Sequence, residues 1–64
     1  MLNGHIDTNP IGIGWTVDPL AATTRDGFVF GIGASNMKAT CASFYGAARA
    51  LTRAKHRLNG DLLI

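Results

Sequence analysis

Asp26-Gly27-Phe28-Val29-Phe30-Gly31-Ile32-Gly33-Ala34-Ser35-Asn36-Met37-Lys38-Ala39 is the stretch that decides how this chain folds. Phe28-Val29-Phe30 is aromatic and β-branched and stands between glycines, the composition of a short strand. Asp26-Gly27 ahead of it is a turn pair. Beyond the glycines the period changes. Met37, Cys41, Phe44, Ala48 and Leu51 recur at spacings of four and three, and Leu58 continues the row. That is one apolar stripe on a helix from about Met37 to Arg57, with alanines at 39, 42, 47, 48, 50 and 54 adding helix propensity. Ser35 or Asn36 is placed to cap its N-terminus. Gly46 inside the helix costs about 1 kcal/mol against alanine and points to the close approach of a neighbouring backbone. Asn59-Gly60 is the stop signal.

Working outward, Met1 to about Ile6 is short and apolar and reads as the end of a strand. Residues 8–27 hold both prolines, three of the eight glycines and several Thr and Asp, which is loop composition. Leu62-Leu63-Ile64 reads as another strand beginning. The order strand, long loop, short strand, helix, strand predicts an α/β unit with some parallel pairing. Opening and closing inside strands, the chain reads as a piece from the middle of a larger domain, with edges that invite aggregation.

The 64 residues exclude a multidomain protein, and a chain of this size is marginal alone. A single cysteine excludes an internal disulfide. All four acids are aspartates, so no mechanism needing a glutamate base is completed by these residues. The net charge of +2 is mild, and its late basic residues Arg49, Arg53, Lys55 and Arg57 read as the solvated face of a helix rather than a nucleic-acid patch. No apolar run approaches the roughly 20 residues that span a bilayer, and there is no basic leader followed by an apolar run. The expectation is a cytoplasmic protein with no nucleic-acid and no membrane partner.

Chemistry concentrates at His5-Ile6-Asp7. In a strand, residues i and i+2 point to one face. His5 and Asp7 therefore project together at a strand's C-terminal end, where open α/β sheets place ligands. A neutral imidazole is a good zinc ligand, and a carboxylate beside it fixes the tautomer. Standing alone, the pair reads first as a surface histidine beside a turn-forming aspartate. Gly31-Ile32-Gly33-Ala34-Ser35-Asn36 follows a strand and opens a helix, the setting of a dinucleotide-binding loop, but the third glycine is absent. Its plainer reading is a turn that lets backbone approach a site. Cys41 lies on the apolar stripe and reads as a small buried hydrophobe. His56 reads as part of the helix C-terminus. Trp15 and Tyr45 are open between core and partner contact.

Taken together, these pieces resemble the M20 family of metallopeptidases and amidohydrolases. Leu2-Asn3-Gly4-His5-Ile6-Asp7-Thr8 is similar to that family's GHxDT segment. Gly14-Trp15 with Asp18-Pro19-Leu20 is similar to its W…DPF loop, and residues 26–39 to its DGxLYGRGxxDMKG segment. Order and spacing agree across nearly the whole chain. The resemblance implies that residues 1–64 are part of a catalytic domain of three-layer αβα, zinc-peptidase-like architecture. It implies zinc, one or two ions, with Co²⁺ or Mn²⁺ as substitutes. It implies hydrolysis of an amide or peptide bond in an N-acyl amino acid or similar small substrate by metal-activated water, in a parent that could be a homodimer. His5 matches a metal ligand. Asp7 matches the catalytic aspartate that orients this imidazole. Asn36 falls where the family has the aspartate that bridges both ions.

Asn36 is a departure with chemical weight. A bridging carboxylate offers two anionic oxygens, whereas an amide offers one neutral oxygen and an NH₂ that repels metal. Ile32, where the family often has arginine, and Ala39-Thr40, where it has small glycines, are lesser departures. The alternatives to a hydrolase fragment are a non-catalytic binding module and a degenerate remnant. The 64-residue chain by itself is expected to hydrolyse no amide at a measurable rate, because a catalytic zinc needs about three protein ligands. Turnover by the purified chain that a chelator abolishes would overturn this.

Overall fold

Asp26 and Gly27 both take positive φ, 53° and 81°. Two successive residues in this region make a type I′ turn, whose twist matches that of a two-stranded ribbon. The turn joins strands β1, Thr23–Arg25, and β2, Phe28–Phe30, which pair antiparallel with Arg25 opposite Phe28 and Thr23 opposite Phe30. The Arg25 guanidinium lies 5.3 Å from the centre of the Phe30 ring. β1 falls inside the stretch that composition assigns to loop. The Asp-Gly pair carries the signal for it, since a two-residue turn before one strand requires another strand ahead of it.

This computed structural model describes residues 1–64 and places after β2 a wide turn over Ala34–Lys38 and then the helix α1, Ala39–Arg53. The Pro19 carbonyl accepts the Ile32 N–H at 2.8 Å, tying the glycine-rich segment to the loop before β1. That loop is itself set by Asp18, whose Oδ1 accepts the Leu20 N–H at 2.8 Å. Gly33 has a φ of 72°. Its carbonyl accepts the Lys38 N–H at 3.0 Å, and the Ala34 carbonyl accepts the Ala39 N–H. These bonds span five residues, a wider loop than an α-helical turn. Within it Asn36 (φ −124°, ψ 92°) and Met37 (φ −139°, ψ 36°) leave helical geometry, and the Asn36–Met37 peptide is cis. The helix therefore starts at Ala39 rather than Met37, and neither Ser35 nor Asn36 caps it; Lys38 precedes it without a side-chain cap.

The helix ends at Arg53, not Arg57. Lys55 takes a φ of 51°, the Lys55 N–H bonds the Thr52 carbonyl, and the His56 N–H bonds the Leu51 carbonyl, both at 3.2 Å. Those two bonds form a Schellman motif, with lysine at the left-handed position usually taken by glycine. Termination is thus set four residues before Asn59-Gly60, and His56 contributes its backbone.

The apolar stripe is where the packing is. Met37, Cys41, Phe44, Ala48 and Leu51 are half-buried, while the intervening positions of α1 other than Thr40 are exposed. Gly4 lies against this stripe: a Cβ there would sit 3.0 Å from Cys41 Sγ, 3.2 Å from Met37 Cε and 3.3 Å from Phe44 Cε2. Gly46, by contrast, has nothing within 4 Å of a Cβ, so the close approach falls at Gly4 and not there. The Leu2 N–H bonds the Leu63 carbonyl at 2.9 Å. That is the only bond between the two segments read as strands, and neither has the ladder that defines one. The strand pairing present is antiparallel rather than parallel.

No residue is buried, and the accessible surface is 5484 Å². A folded monomer of this mass exposes about 4,000 Å². The body measures 48 × 24 × 12 Å. Its thickness is about that of one helix with its side chains. No helix is long and apolar enough to cross a membrane. Free in water, the 64-residue chain is expected to give a weak helical circular-dichroism signal without a cooperative thermal transition, since a 15-residue helix is marginal without a packed face. Gly46→Ala should raise that signal through about 1 kcal/mol of helix propensity. A sharp two-state transition in the unsubstituted 64-residue chain, or no gain from the substitution, would contradict this account.

Candidate metal centre

Backbone contact places the histidine. With Gly4 pressed on the stripe of α1, the next residue is held beside the wide turn that precedes the helix. The Cys41 thiol points at the His5 carbonyl, with the sulfur 3.6 Å from the oxygen. Cys41 thus supports the main chain under His5 and stands on the packed stripe, where the sequence puts it.

The imidazole is held on both edges. Nδ1 lies 2.9 Å from Asp7 Oδ1 and 3.2 Å from the Asp7 carbonyl. Both partners accept, and the carboxylate is the stronger acceptor of the two edges, so in the neutral ring Nδ1 carries the proton and donates it to Asp7. Nε2 then bears the lone pair, and it faces Asn36 Oδ1 at 3.2 Å from 31 residues away. His5, Asp7 and Asn36 are thereby brought together at one cavity of about 290 Å³, whose other walls include Thr8, Gly31 and Gly33. His5 is 45% exposed and Asp7 86%.

Gly33 makes this convergence sterically possible. Besides its left-handed φ, it has no room for a Cβ, which would collide with the Thr8 methyl and come within 2.7 Å of Lys38 Nζ. The glycine-rich segment is therefore a close backbone approach, the plainer of its two readings. Thr8 and Gly4 also position the site, and the sequence signals them only by their adjacency to His5-Ile6-Asp7, since small residues flanking such a pair let it pack tightly against a turn.

The donor set suits one small cation. Zinc–nitrogen and zinc–oxygen bonds near 2.0–2.1 Å put two tetrahedral ligands about 3.4 Å apart. The separation of His5 Nε2 from Asn36 Oδ1, 3.2 Å, matches two ligands of a single ion. Asp7 stands behind His5 as the carboxylate that sets its tautomer, a usual partner of zinc-bound histidine. No three His, Cys, Asp or Glu side chains of the chain gather at one point. Two donors, one neutral nitrogen and one neutral oxygen, are thus what these residues offer.

In comparisons with known proteins, the model of Peptidase family M20/M25/M40 matches residues 1–64. The chain is 46% identical over 59 residues to the succinyl-diaminopimelate desuccinylase of Sulfurimonas denitrificans, covering 92% of this chain and 15% of that protein. It is 43% identical over 63 residues to the enzyme of the same name from Parvibaculum lavamentivorans, covering 95% and 16%. With that of Acidiphilium cryptum it shares 48% identity over 61 residues, again covering 95% and 16%. The chain thus spans about a sixth of the length of these relatives. No solved structure matches it.

Gly33→Ala, made in the protein that carries this chain, is expected to move Asn36 away from His5 and weaken zinc binding at least tenfold, of the order seen when a supporting residue is lost. Zinc affinity by calorimetry checks this; unchanged affinity would show that the turn is free to relax.

Proposed function

The chain belongs to Peptidase family M20/M25/M40, and from that premise we propose that residues 1–64 are one part of the three-layer αβα catalytic domain of a metal-dependent amide hydrolase. The reaction class is cleavage of a C–N amide bond in a small N-acylated amino acid. The relatives' names narrow the first substrate to try, N-succinyl-diaminopimelate. The observation that carries the reading is the aligned set Asp7–His5–Asn36, with a carboxylate 2.9 Å from one ring nitrogen and an amide oxygen 3.2 Å from the other, over a polar cavity.

In this reading His5 Nε2 and Asn36 Oδ1 hold zinc, or Co²⁺ or Mn²⁺ in its place, together with ligands from beyond these residues. A cation there would polarise the substrate carbonyl and make water a better nucleophile. The residues of this chain do the positioning. Asp7 holds the Nδ1 proton, so Nε2 keeps its lone pair directed into the cavity. Gly33 and Thr8 bring the Asn36 turn up to it. No residue of this chain supplies the general base, because the acids at the cavity reduce to Asp7, whose Oδ1 already accepts from His5. The small-molecule amide substrate, a homodimeric parent and a cytoplasmic setting belong to the same proposal.

The test uses the protein that carries this chain. Purified with its metal, it should release free amine from N-succinyl-diaminopimelate or a related N-acyl amino acid. A chelator should remove the activity and zinc restore it. Asp7→Asn is expected to cut metal affinity by about 10- to 100-fold through the lost tautomer lock, and His5→Ala to abolish turnover. Activity that survives both chelation and His5→Ala would sink the proposal.

A further inference from the structure

The two edges of His5 are not equally satisfied. In the neutral ring Nδ1–H donates to Asp7, which leaves Nε2 as a bare acceptor. It faces Asn36 Oδ1 at 3.2 Å, and a carboxamide oxygen also only accepts. With the ring neutral, two lone pairs at that separation need a proton donor or a cation between them. Two sources are at hand. A half-turn of the Asn36 amide about its Cβ–Cγ bond puts its NH₂ on Nε2 as a donor. Alternatively a cation sits between Nε2 and Oδ1, as their spacing allows. The two arrangements exclude each other, because both use the same lone pair of His5. No other side chain competes for it: the Cys41 thiol is turned to the His5 carbonyl, and Asp7 is on the opposite ring nitrogen.

We propose that the Asn36 carboxamide is a two-position gate on His5, closing Nε2 with its NH₂ when no ion is bound and turning to ligate one ion, and no second, with its single oxygen. This rests on reading the cavity as a metal centre and deepens it by assigning the number of ions. The limit of one follows from the amide itself. Its second terminal atom is an NH₂ with protons outward, which repels a second cation where a carboxylate would bind it. Nor could an ionised carboxylate close Nε2, since it has no proton to donate.

The experiment takes the protein that carries this chain, stripped of metal, as wild type and as Asn36→Asp and Asn36→Ala. Circular dichroism confirms that each is folded. Zinc is then titrated, with bound metal counted by elemental analysis and affinity read by calorimetry. Nitrogen-15 NMR of the metal-free protein reports the His5 tautomer and the Asn36 side-chain amide. The wild type is expected to bind one equivalent of zinc and Asn36→Asp two. Asn36→Ala should bind one equivalent about tenfold more weakly. The metal-free wild type should show the Nδ1–H tautomer and an Asn36 amide signal that shifts on adding zinc. A wild type that binds two equivalents as tightly as Asn36→Asp would overturn the gate while leaving the metal centre standing. An Asn36 amide signal indifferent to zinc would do the same. Folded variants none of which binds zinc would overturn the gate and the metal centre together.

Discussion

The contact of Gly4 with the apolar stripe of α1 is the interaction on which the site depends. A Cβ at this position would press on Cys41, Met37 and Phe44 at once. Hydrogen there lets the main chain lie on the helix, and the rest follows by chain length. The next residue is His5, and the residue two further on is Asp7. Both stand at the level of the wide turn that leads into α1, where Asn36 is waiting. Helix, turn and extended segment are thus locked through a few half-buried side chains, with no enclosed core behind them. The covering that such a stripe requires must come from other packing surfaces, which agrees with a chain spanning about a sixth of its relatives' length.

Much of this was legible from the residues. The stripe at 37, 41, 44, 48 and 51 is half-buried in the structure, because periodicity depends only on the geometry of a helix, whereas Leu58, expected on the same row, lies beyond the end of α1 and is exposed. The pairing of His5 with Asp7 followed from i, i+2 spacing in extended chain. What was not legible had local causes. The first turn at Ala34–Lys38 departs from helical angles at Asn36 and Met37, which no propensity scale anticipates, since both residues tolerate a helix. Lys55 ends α1 in a left-handed conformation that glycine would have announced. β1 hid among prolines and threonines. The strands expected at each end, near Leu2 and Leu63, need neighbours that these residues do not supply. The resemblance in motif order names His5, Asp7 and Asn36 together, and the three line one cavity.

Asn36 is where family pattern and local chemistry part. Its Oδ1 stands 3.2 Å from His5 Nε2, and its side chain lacks the charge of the aspartate in the family pattern. In the proposed gate, the amide gives the histidine a donor in the metal-free state that an ionised carboxylate cannot.

The exposure of Asp7 has one more consequence. Its carboxylate is 86% accessible, so water surrounds the pair it forms with His5. Coulombic coupling across bulk water is about fourfold weaker than across a typical protein surface environment, and dissolved salt screens it further. With these residues alone, the orientation of the imidazole is therefore a weak, salt-sensitive preference. Once a neighbouring layer excludes solvent from the cavity, the same two atoms at the same separation would hold the ring firmly. Assembly of the domain would then act as a dielectric switch, turning a geometry already present into one with electrostatic force.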